Sequence, residues 1–105
     1  MIKDVNLTHT SALILQTISA GYRYGFEIME ATGLPSGTVY PALRRLEESA
    51  LISSKWEKEK EAAAQLRPPR KYFKLTRVGD ETLAKAVERY PLLQRMGLEE
   101  KPKHT

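Results

Sequence analysis

The chain has 105 residues, a formal charge of +4 and no cysteine. This length fits one domain, and the lack of cysteine excludes disulfides, thiolate zinc sites and a cysteine nucleophile. The longest apolar run, Ala12 to Leu15, is far shorter than the roughly 20 residues of a membrane span. Lys3, Asp4 and Asn6 interrupt any secretory signal, so we expect a cytoplasmic domain whose basic charge makes nucleic acid the first partner to consider.

The first two predicted elements are short, mostly apolar helices. The first begins near Thr8 or Thr10, where threonine is a favoured N-cap, and ends at Ala20. The second covers roughly 25–31, with Gly33 as its C-terminal stop. A turn rich in helix breakers follows.

The third predicted helix has the clearest pattern in the chain. Ser36 is its expected N-cap, and it runs to about Ser49. Val39, Leu43 and Leu46 recur at i, i+4 and i+7, which predicts one buried stripe. Two helices joined by a short turn are typical of a helix-turn-helix.

Two strands with a long connection come next. Residues 51–56 and 70–75 have the composition of strands that pair as a hairpin. The connection, 57–69, begins with helix formers and ends stiff and basic, so we expect a mobile tip that carries a helical turn. A fourth helix, capped by Thr76, covers 78–89. The order helix, helix, helix, strand, strand, helix predicts a mainly α winged helix-turn-helix with a small β-hairpin.

The predicted organisation follows this order. Residues 1–77 form a winged helix-turn-helix domain for DNA binding, with the wing loop at about 57–69. Residues 78–97 form a C-terminal helical region for dimerisation, which Pro91 interrupts. Residues 98–105 form a flexible tail.

The outward face of the third helix is the predicted DNA-binding surface. A recognition helix presents its N-terminal residues to the major groove, hydroxyl groups bind phosphate, and arginine forks onto guanine or phosphate. The alternative is that Ser36 only caps the helix, Tyr40 packs on a neighbour and Arg44 is simply solvated. The side chains that face away from the buried stripe, or lie at the exposed N-terminal end, are Ser36, Gly37, Thr38, Tyr40, Pro41 and Arg44.

Positive charge is concentrated in one arm of the hairpin. Residues 65–77 contain five basic residues and no Asp or Glu, so this stretch carries +5 and the rest of the chain −1. Beside a recognition helix, such a wing lies against the phosphate backbone. The alternative is a solvated strand edge that its charges protect from aggregation.

Other functional patterns are missing from the sequence. His9 and His104 lack neighbours at ligand spacing, and no serine lies in a nucleophile motif, so neither an enzyme nor a metal or cofactor site is expected. The alternating charges at 57–61 predict a solvated surface. Trp56 is expected to pack in the core or hairpin, and the alternative is a stacking platform for a planar ligand.

Leu83, Val87 and Tyr90 form an apolar stripe on the last predicted helix. A monomer would expose this stripe, and the simplest way to bury it is against a second copy of the chain. Two-fold symmetry then predicts two DNA half-sites about one helical turn apart.

Three stretches resemble PadR-type transcriptional regulators. Residues 34–47, LPSGTVYPALRRLE, closely resemble the family's recognition-helix signature; 24–28 are similar to its second-helix opening and 68–76 to its wing. The resemblance covers about residues 8–90. It is to the short branch of the family. The resemblance implies that DNA is contacted by Tyr24, Ser36, Thr38, Tyr40, Arg44, Arg70 and Lys71.

The resemblance also implies how the protein acts. It predicts a homodimer, usually a repressor, that binds an inverted repeat and dimerises mainly through its C-terminal helix. Some family members release DNA when phenolic acids or drug-like molecules bind, and the residues leave open whether this chain has such an effector. The rival hypothesis is a winged-helix module that binds protein instead of DNA. Removing the charge of Arg44 or Lys71 would separate the two hypotheses.

Overall fold

The computed structural model describes residues 7–91 and 93, and the predicted tail at 98–105 lies outside them. The predicted order of elements is confirmed, and the expected helical turn between the strands is a six-residue helix. In these residues no helix is long and apolar enough to cross a membrane. The elements are α1 (His9–Ser19), α2 (Gly25–Thr32), α3 (Ser36–Glu48), β1 (Ile52–Trp56), α4 (Glu59–Ala64), β2 (Lys71–Leu75) and α5 (Arg77–Arg89).

The predicted caps of three helices are confirmed. The Thr8 hydroxyl accepts a hydrogen bond from the Ser11 N–H at the start of α1, and the Thr76 hydroxyl accepts one from the Gly79 N–H at the start of α5, both at 3.0 Å. α2 ends at Gly33, whose φ of 73° lies in the left-handed region that glycine favours.

The cap of α3 differs from the prediction. Pro35 is the N-cap and Ser36 is the first helical residue. The extended backbone of Pro35 places its carbonyl oxygen 3.0 Å from the N–H groups of both Thr38 and Val39, so it closes the first turn without a side chain. The exposed Ser36 hydroxyl is therefore not needed for capping.

The core lies between the helices α1, α2, α3 and α5 and the base of the hairpin. The predicted stripe of α3 is confirmed, because Val39, Leu43 and Leu46 are all buried. Burial of this stripe fixes the opposite face of α3 toward solvent. The other large, fully buried apolar side chains are Ile14, Leu15, Ile28, Leu51 and Ile52.

The hairpin register sets which side chains reach its outer end. β1 and β2 pair antiparallel, with Ile52 opposite Leu75 at the base and Trp56 opposite Lys71 at the outer end. Phe73 is buried, so the face of β2 that carries Lys71, Phe73 and Leu75 packs inward. Lys71 and Lys74 lie on opposite faces of this strand, so the sequence alone does not show which face is buried.

The link between α1 and α2 holds the second strand of the wing. The Phe73 N–H donates to the Arg23 carbonyl oxygen at 2.7 Å, and Tyr24 forms an isolated antiparallel bridge with Tyr72. The wing is thereby fixed beside the start of α2.

α5 closes the domain against α1. Leu83 is buried in the core of the chain, whereas Val87 and Tyr90 are half-buried against it. The expectation that the stripe is exposed in a monomer is therefore wrong for Leu83, because α1 and the hairpin base cover that face. The Tyr90 ring lies 4.5 Å from the ring of His9 at the start of α1.

Candidate nucleic-acid interface

The outward face of α3 carries the predicted surface residues. Gly37, Pro41 and Arg44 are exposed, and Tyr40 is 48% exposed. Arg44 has no ion pair among residues 7–91 and 93. Its guanidinium is thus presented on a helix whose opposite face is fixed in the core.

A cleft of about 500 Å³ lies between α3, the start of α2 and the wing. It brings together part of the predicted site. Ser36, Gly37, Thr38 and Pro41 lie on α3 outside the cleft. The predicted residues that line it are Tyr24, Tyr40, Arg44, Arg70 and Lys71.

The Tyr40 ring lies directly against the start of α2. A Cβ at Gly25 would lie 2.5 Å from the Tyr40 Cε1 atom and 2.6 Å from its hydroxyl oxygen. A larger residue at this position would displace the end of the Tyr40 side chain, so Gly25 permits this close approach of α2 to the ring.

Tyr24 supports an arginine of the wing. The Arg70 guanidinium lies 4.1 Å from the centre of the Tyr24 ring, a cation–π arrangement. Tyr24 in turn meets Tyr72 edge-on at 5.7 Å. The stack places the Arg70 cation at the cleft, and Tyr24 serves as its platform.

Glu47 joins α3 to the hairpin. Its carboxylate accepts a hydrogen bond from the Ser54 hydroxyl of β1 and one, at 3.3 Å, from the Lys71 ammonium of β2. The Ser54 hydrogen bond, followed by the contact with Lys71, lowers the pKa of Glu47. In the free protein, Lys71 is thus engaged by a carboxylate rather than presented alone.

Glu57 closes the wing loop. The Arg67 guanidinium donates two hydrogen bonds to its carboxylate, one of them at 2.8 Å, and the Arg70 N–H donates a third at 3.3 Å. The bond from Arg67 lowers the pKa of Glu57, and the same contact raises the pKa of Arg67. The Glu57 side chain is only 10% exposed. The prediction of a solvated surface at 57–61 is therefore wrong for this residue.

The positive charge of the wing is partly neutralised by the protein itself. Arg67 pairs with Glu57, and Lys71 pairs with Glu47. In α5, Nε of the exposed Arg77 lies 3.4 Å from the Glu81 carboxylate. The charge of +5 counted over 65–77 thus overstates what the wing offers to a partner.

Seven residues that line the cleft are not among the predicted DNA contacts, and three of them, Phe26, Glu47 and Trp56, bear on its chemistry. Trp56 is 63% exposed, so the expectation that it packs is wrong; it lies at the outer end of the hairpin, with the Lys71 ammonium 5.9 Å from its ring. Phe26 is 58% exposed, two positions before the buried Ile28 and so on the opposite side of α2. Glu47 continues the series Tyr40, Arg44, Glu47 at i, i+4 and i+7, a signal that helical periodicity contains.

The sequence matches a known family over much of its length. Residues 14–85, well over half of the chain, match the model of the transcriptional regulator PadR-like family. The chain belongs to this family. PadR-like proteins are DNA-binding transcriptional regulators and not enzymes, which confirms the resemblance and the prediction that the chain is no enzyme.

One solved structure supports the same assignment, and a second shows the same fold. A PadR family transcription regulator from Clostridium difficile R20291 is 26% identical, with a TM-score of 0.70 over 85% of this chain and 94% of the other. A transcriptional regulator from Clostridium thermocellum is 23% identical, with a TM-score of 0.67 over 84% and 85%. Among curated proteins, none matches the sequence.

The fold is shared beyond the PadR-like family. ZitR of Lactococcus lactis, a zinc-responsive MarR family member, is 21% identical, with a TM-score of 0.66 over 90% of this chain and 60% of the other. This likeness shows the winged-helix fold alone. The described part of the PadR-like chain contains no group of three or more His, Cys, Asp or Glu side chains that could hold a metal.

Proposed function

We propose that this PadR-like protein is a cytoplasmic repressor that binds an inverted-repeat operator as a homodimer. α3 enters the major groove, and the wing lies on the phosphate backbone. The observation that carries the proposal is the outward face of α3, where Arg44 and Tyr40 stand beside an arginine that Tyr24 holds in the wing.

The predicted residues of α3 have different roles in this arrangement. Ser36, Gly37 and Thr38 lie at the N-terminal end of α3, the part of a recognition helix that reaches base edges. The exposed Ser36 hydroxyl can donate to phosphate or a base, and Gly37 leaves room, since nothing lies within 4 Å of a Cβ built there. Arg44 supplies a forked donor for guanine or phosphate.

The wing and Tyr40 supply sequence-independent contacts. Arg70 and Lys71 face the same cleft as the recognition helix and are the cations that we assign to the DNA backbone. Lys71 must leave Glu47, or share it, to bind a phosphate. The Tyr40 hydroxyl adds a neutral phosphate donor.

Dimerisation is proposed through the C-terminal region, residues 78–97. Val87 in α5 and Tyr90 at its C-cap are the half-buried apolar residues that a second copy would cover, and Leu83 supports them from the core. Two-fold symmetry would then place two α3 helices about one turn of DNA apart. A small aromatic or drug-like effector would act by changing this geometry.

The test is fluorescence anisotropy with labelled DNA from the region upstream of the protein's own gene, against scrambled DNA, at several salt concentrations. A preference of roughly a thousandfold or more for upstream DNA would support a sequence-specific regulator. The slope of affinity against salt would count the phosphate contacts. No binding even at low salt would contradict the proposal and favour the protein-interaction module.

A further inference from the structure

Two aromatic rings in the cleft have no part in the proposed DNA contacts. Phe26 and Trp56 line it and are 58% and 63% exposed. In duplex DNA the faces of the bases are stacked, so an aromatic side chain in a groove reaches only base edges such as the methyl group of thymine. Exposed ring faces in a cationic cleft therefore point to a second ligand with an open aromatic face of its own.

The charge of the cleft defines the rest of this ligand. Arg44, Arg70, Lys71 and Glu47 are the charged side chains that line it, a formal balance of +2. A phosphate monoester carries about −1.5 to −2 at neutral pH, whereas a carboxylate carries only one negative charge. Arginine also forks onto phosphate with two parallel hydrogen bonds. The charge balance favours a phosphate over a carboxylate.

We infer that the cleft binds a nucleoside monophosphate, with its base against the rings of Trp56 and Phe26 and its phosphate on Arg44 and Arg70. The volume of about 500 Å³ lies in the range of small-molecule sites, roughly 300–1,000 Å³. Aromatic side chains stack on any base, so we expect the cleft to bind nucleotides with little preference for one base.

Binding of the nucleotide would compete with DNA. Arg44, Arg70 and Tyr40 line the cleft and belong to the surface assigned to the operator. A nucleotide in the cleft occupies these groups directly and needs no change in the dimer. This consequence rests on the proposed function, whereas nucleotide binding itself does not.

The chain contains its own reporter for this site. Trp56 is its only tryptophan, so intrinsic fluorescence reads the cleft without labelling. Adenosine and guanosine monophosphate are titrated into the full chain, with adenosine, inorganic phosphate and cinnamate as comparison probes. We expect saturable quenching by both nucleotides, at least tenfold weaker binding of adenosine and of cinnamate, and no quenching by phosphate alone.

Variants test the assignment of the residues. Phe26→Ala and Arg70→Gln should each weaken binding of adenosine monophosphate at least tenfold. Two matched controls lie outside the cleft: Lys74→Gln removes a charge from the same arm, and Leu66→Ala removes an exposed apolar side chain. Both should bind the nucleotide like the parent chain. Circular dichroism of every variant checks that the fold is retained.

Several results would overturn the inference. These are non-saturating quenching, equal binding of adenosine and adenosine monophosphate, tighter binding of cinnamate, or tighter binding of single-stranded oligothymidine than of any mononucleotide. The outcome is independent of the operator test. Nucleotide binding without DNA binding would refute only the proposed function, and DNA binding without nucleotide binding would refute only this inference.

Discussion

α3 and the wing bring cations to the same cleft but hold them in different ways. Arg44 stands on a helix whose buried stripe is fixed in the core, and it has no ion pair among residues 7–91 and 93. In the wing, Lys71 is held by Glu47, and the loop is closed by Arg67 on Glu57. The helix is therefore a preformed surface, whereas the position and charge of the wing depend on two carboxylates.

This difference predicts different energetic roles. A cation on a rigid helix starts from a fixed backbone position when it binds a partner, so it favours specificity. A cation that must give up a carboxylate before it binds a phosphate contributes less binding free energy. We therefore expect the loss of Arg44 to alter DNA affinity most, and changes in Glu47 or Glu57 to alter the balance between specific and non-specific binding.

The largest effect is expected from Arg44→Gln. Loss of this unpaired guanidinium should weaken operator binding by about 1–3 kcal/mol, roughly five- to 150-fold, as measured by fluorescence anisotropy. Arg45→Gln is the matched control, because Arg45 is an exposed neighbour on α3 outside the cleft. Equal losses in the two variants would mean that only net charge matters and that α3 is no specific reading surface.

A smaller effect of opposite sign is expected from Glu47→Gln. The change removes a negative charge from the cleft and frees Lys71, so binding to scrambled DNA should tighten about three- to tenfold and the salt dependence should steepen by about one phosphate contact. Glu48→Gln removes the same charge from an exposed neighbour on α3 and should change the salt dependence less. Weaker binding by the Glu47 variant would show that its clamp on the wing outweighs its charge.

Acidification should loosen the wing through Glu57. Its pKa lies below the ordinary glutamate value near 4.5 because Arg67 stabilises the ionised form, so the closed wing binds fewer protons than the open one. The contribution of the clamp is therefore complete at neutral pH and is lost as the pH falls below that value. NMR titration of the Arg70 amide, which donates to Glu57, measures the change.

Glu57→Gln provides the control for this titration. The variant has no carboxylate at this position, so the acid transition of the Arg70 amide should disappear while the amides of α3 stay unchanged. Glu59→Gln, an exposed acid in α4, should leave the transition in place. A transition that persists in the Glu57 variant would assign the loosening of the wing to another group.

The same contrast separates what the sequence could predict from what it could not. The exposed face of α3 follows from the helical periodicity of its apolar residues. Val39, Leu43 and Leu46 point inward, so Arg44 must point outward. The start of α3 was misplaced by one residue because the backbone of Pro35 makes the cap that a serine usually makes. Helical periodicity and capping preferences thus predicted the helix. They were wrong only about its first residue, where either the Ser36 side chain or the Pro35 carbonyl could form the cap.

The wing depends on contacts that no local rule contains. Arg67 meets Glu57 across ten positions, and Lys71 meets Glu47 across twenty-four. A count of charges over 65–77 cannot show these pairs. The alternation of acidic and basic residues at 57–61 predicts a solvated Glu57, which the contact with Arg67 contradicts. Trp56 was misjudged because most tryptophans pack, whereas the register places this one at the open end of the hairpin.

The smallest predicted effect concerns a feature that α3 and the wing share. Both α3 and α4 end beside a left-handed residue that is not glycine: Ala50, with a φ of 60°, and Leu66, with a φ of 58°. At the end of α3 the Leu51 N–H donates to the Leu46 carbonyl at 3.0 Å, the closing bond of a Schellman motif. A Cβ in this conformation is strained, and glycine relieves the strain.

Ala50→Gly should therefore raise the free energy of unfolding by about 0.5–1 kcal/mol, measured by urea denaturation, because the relief of strain exceeds the added flexibility of the unfolded chain. Ala84→Gly is the matched control: this exposed alanine lies inside α5, where glycine should lower stability by about 1 kcal/mol. A loss in both variants would mean that the strain at Ala50 is smaller than the flexibility that glycine adds to the unfolded chain. In either case the hydrogen bond from the Thr76 hydroxyl to the Ala50 carbonyl oxygen, at 2.7 Å, ties this turn to the base of the wing.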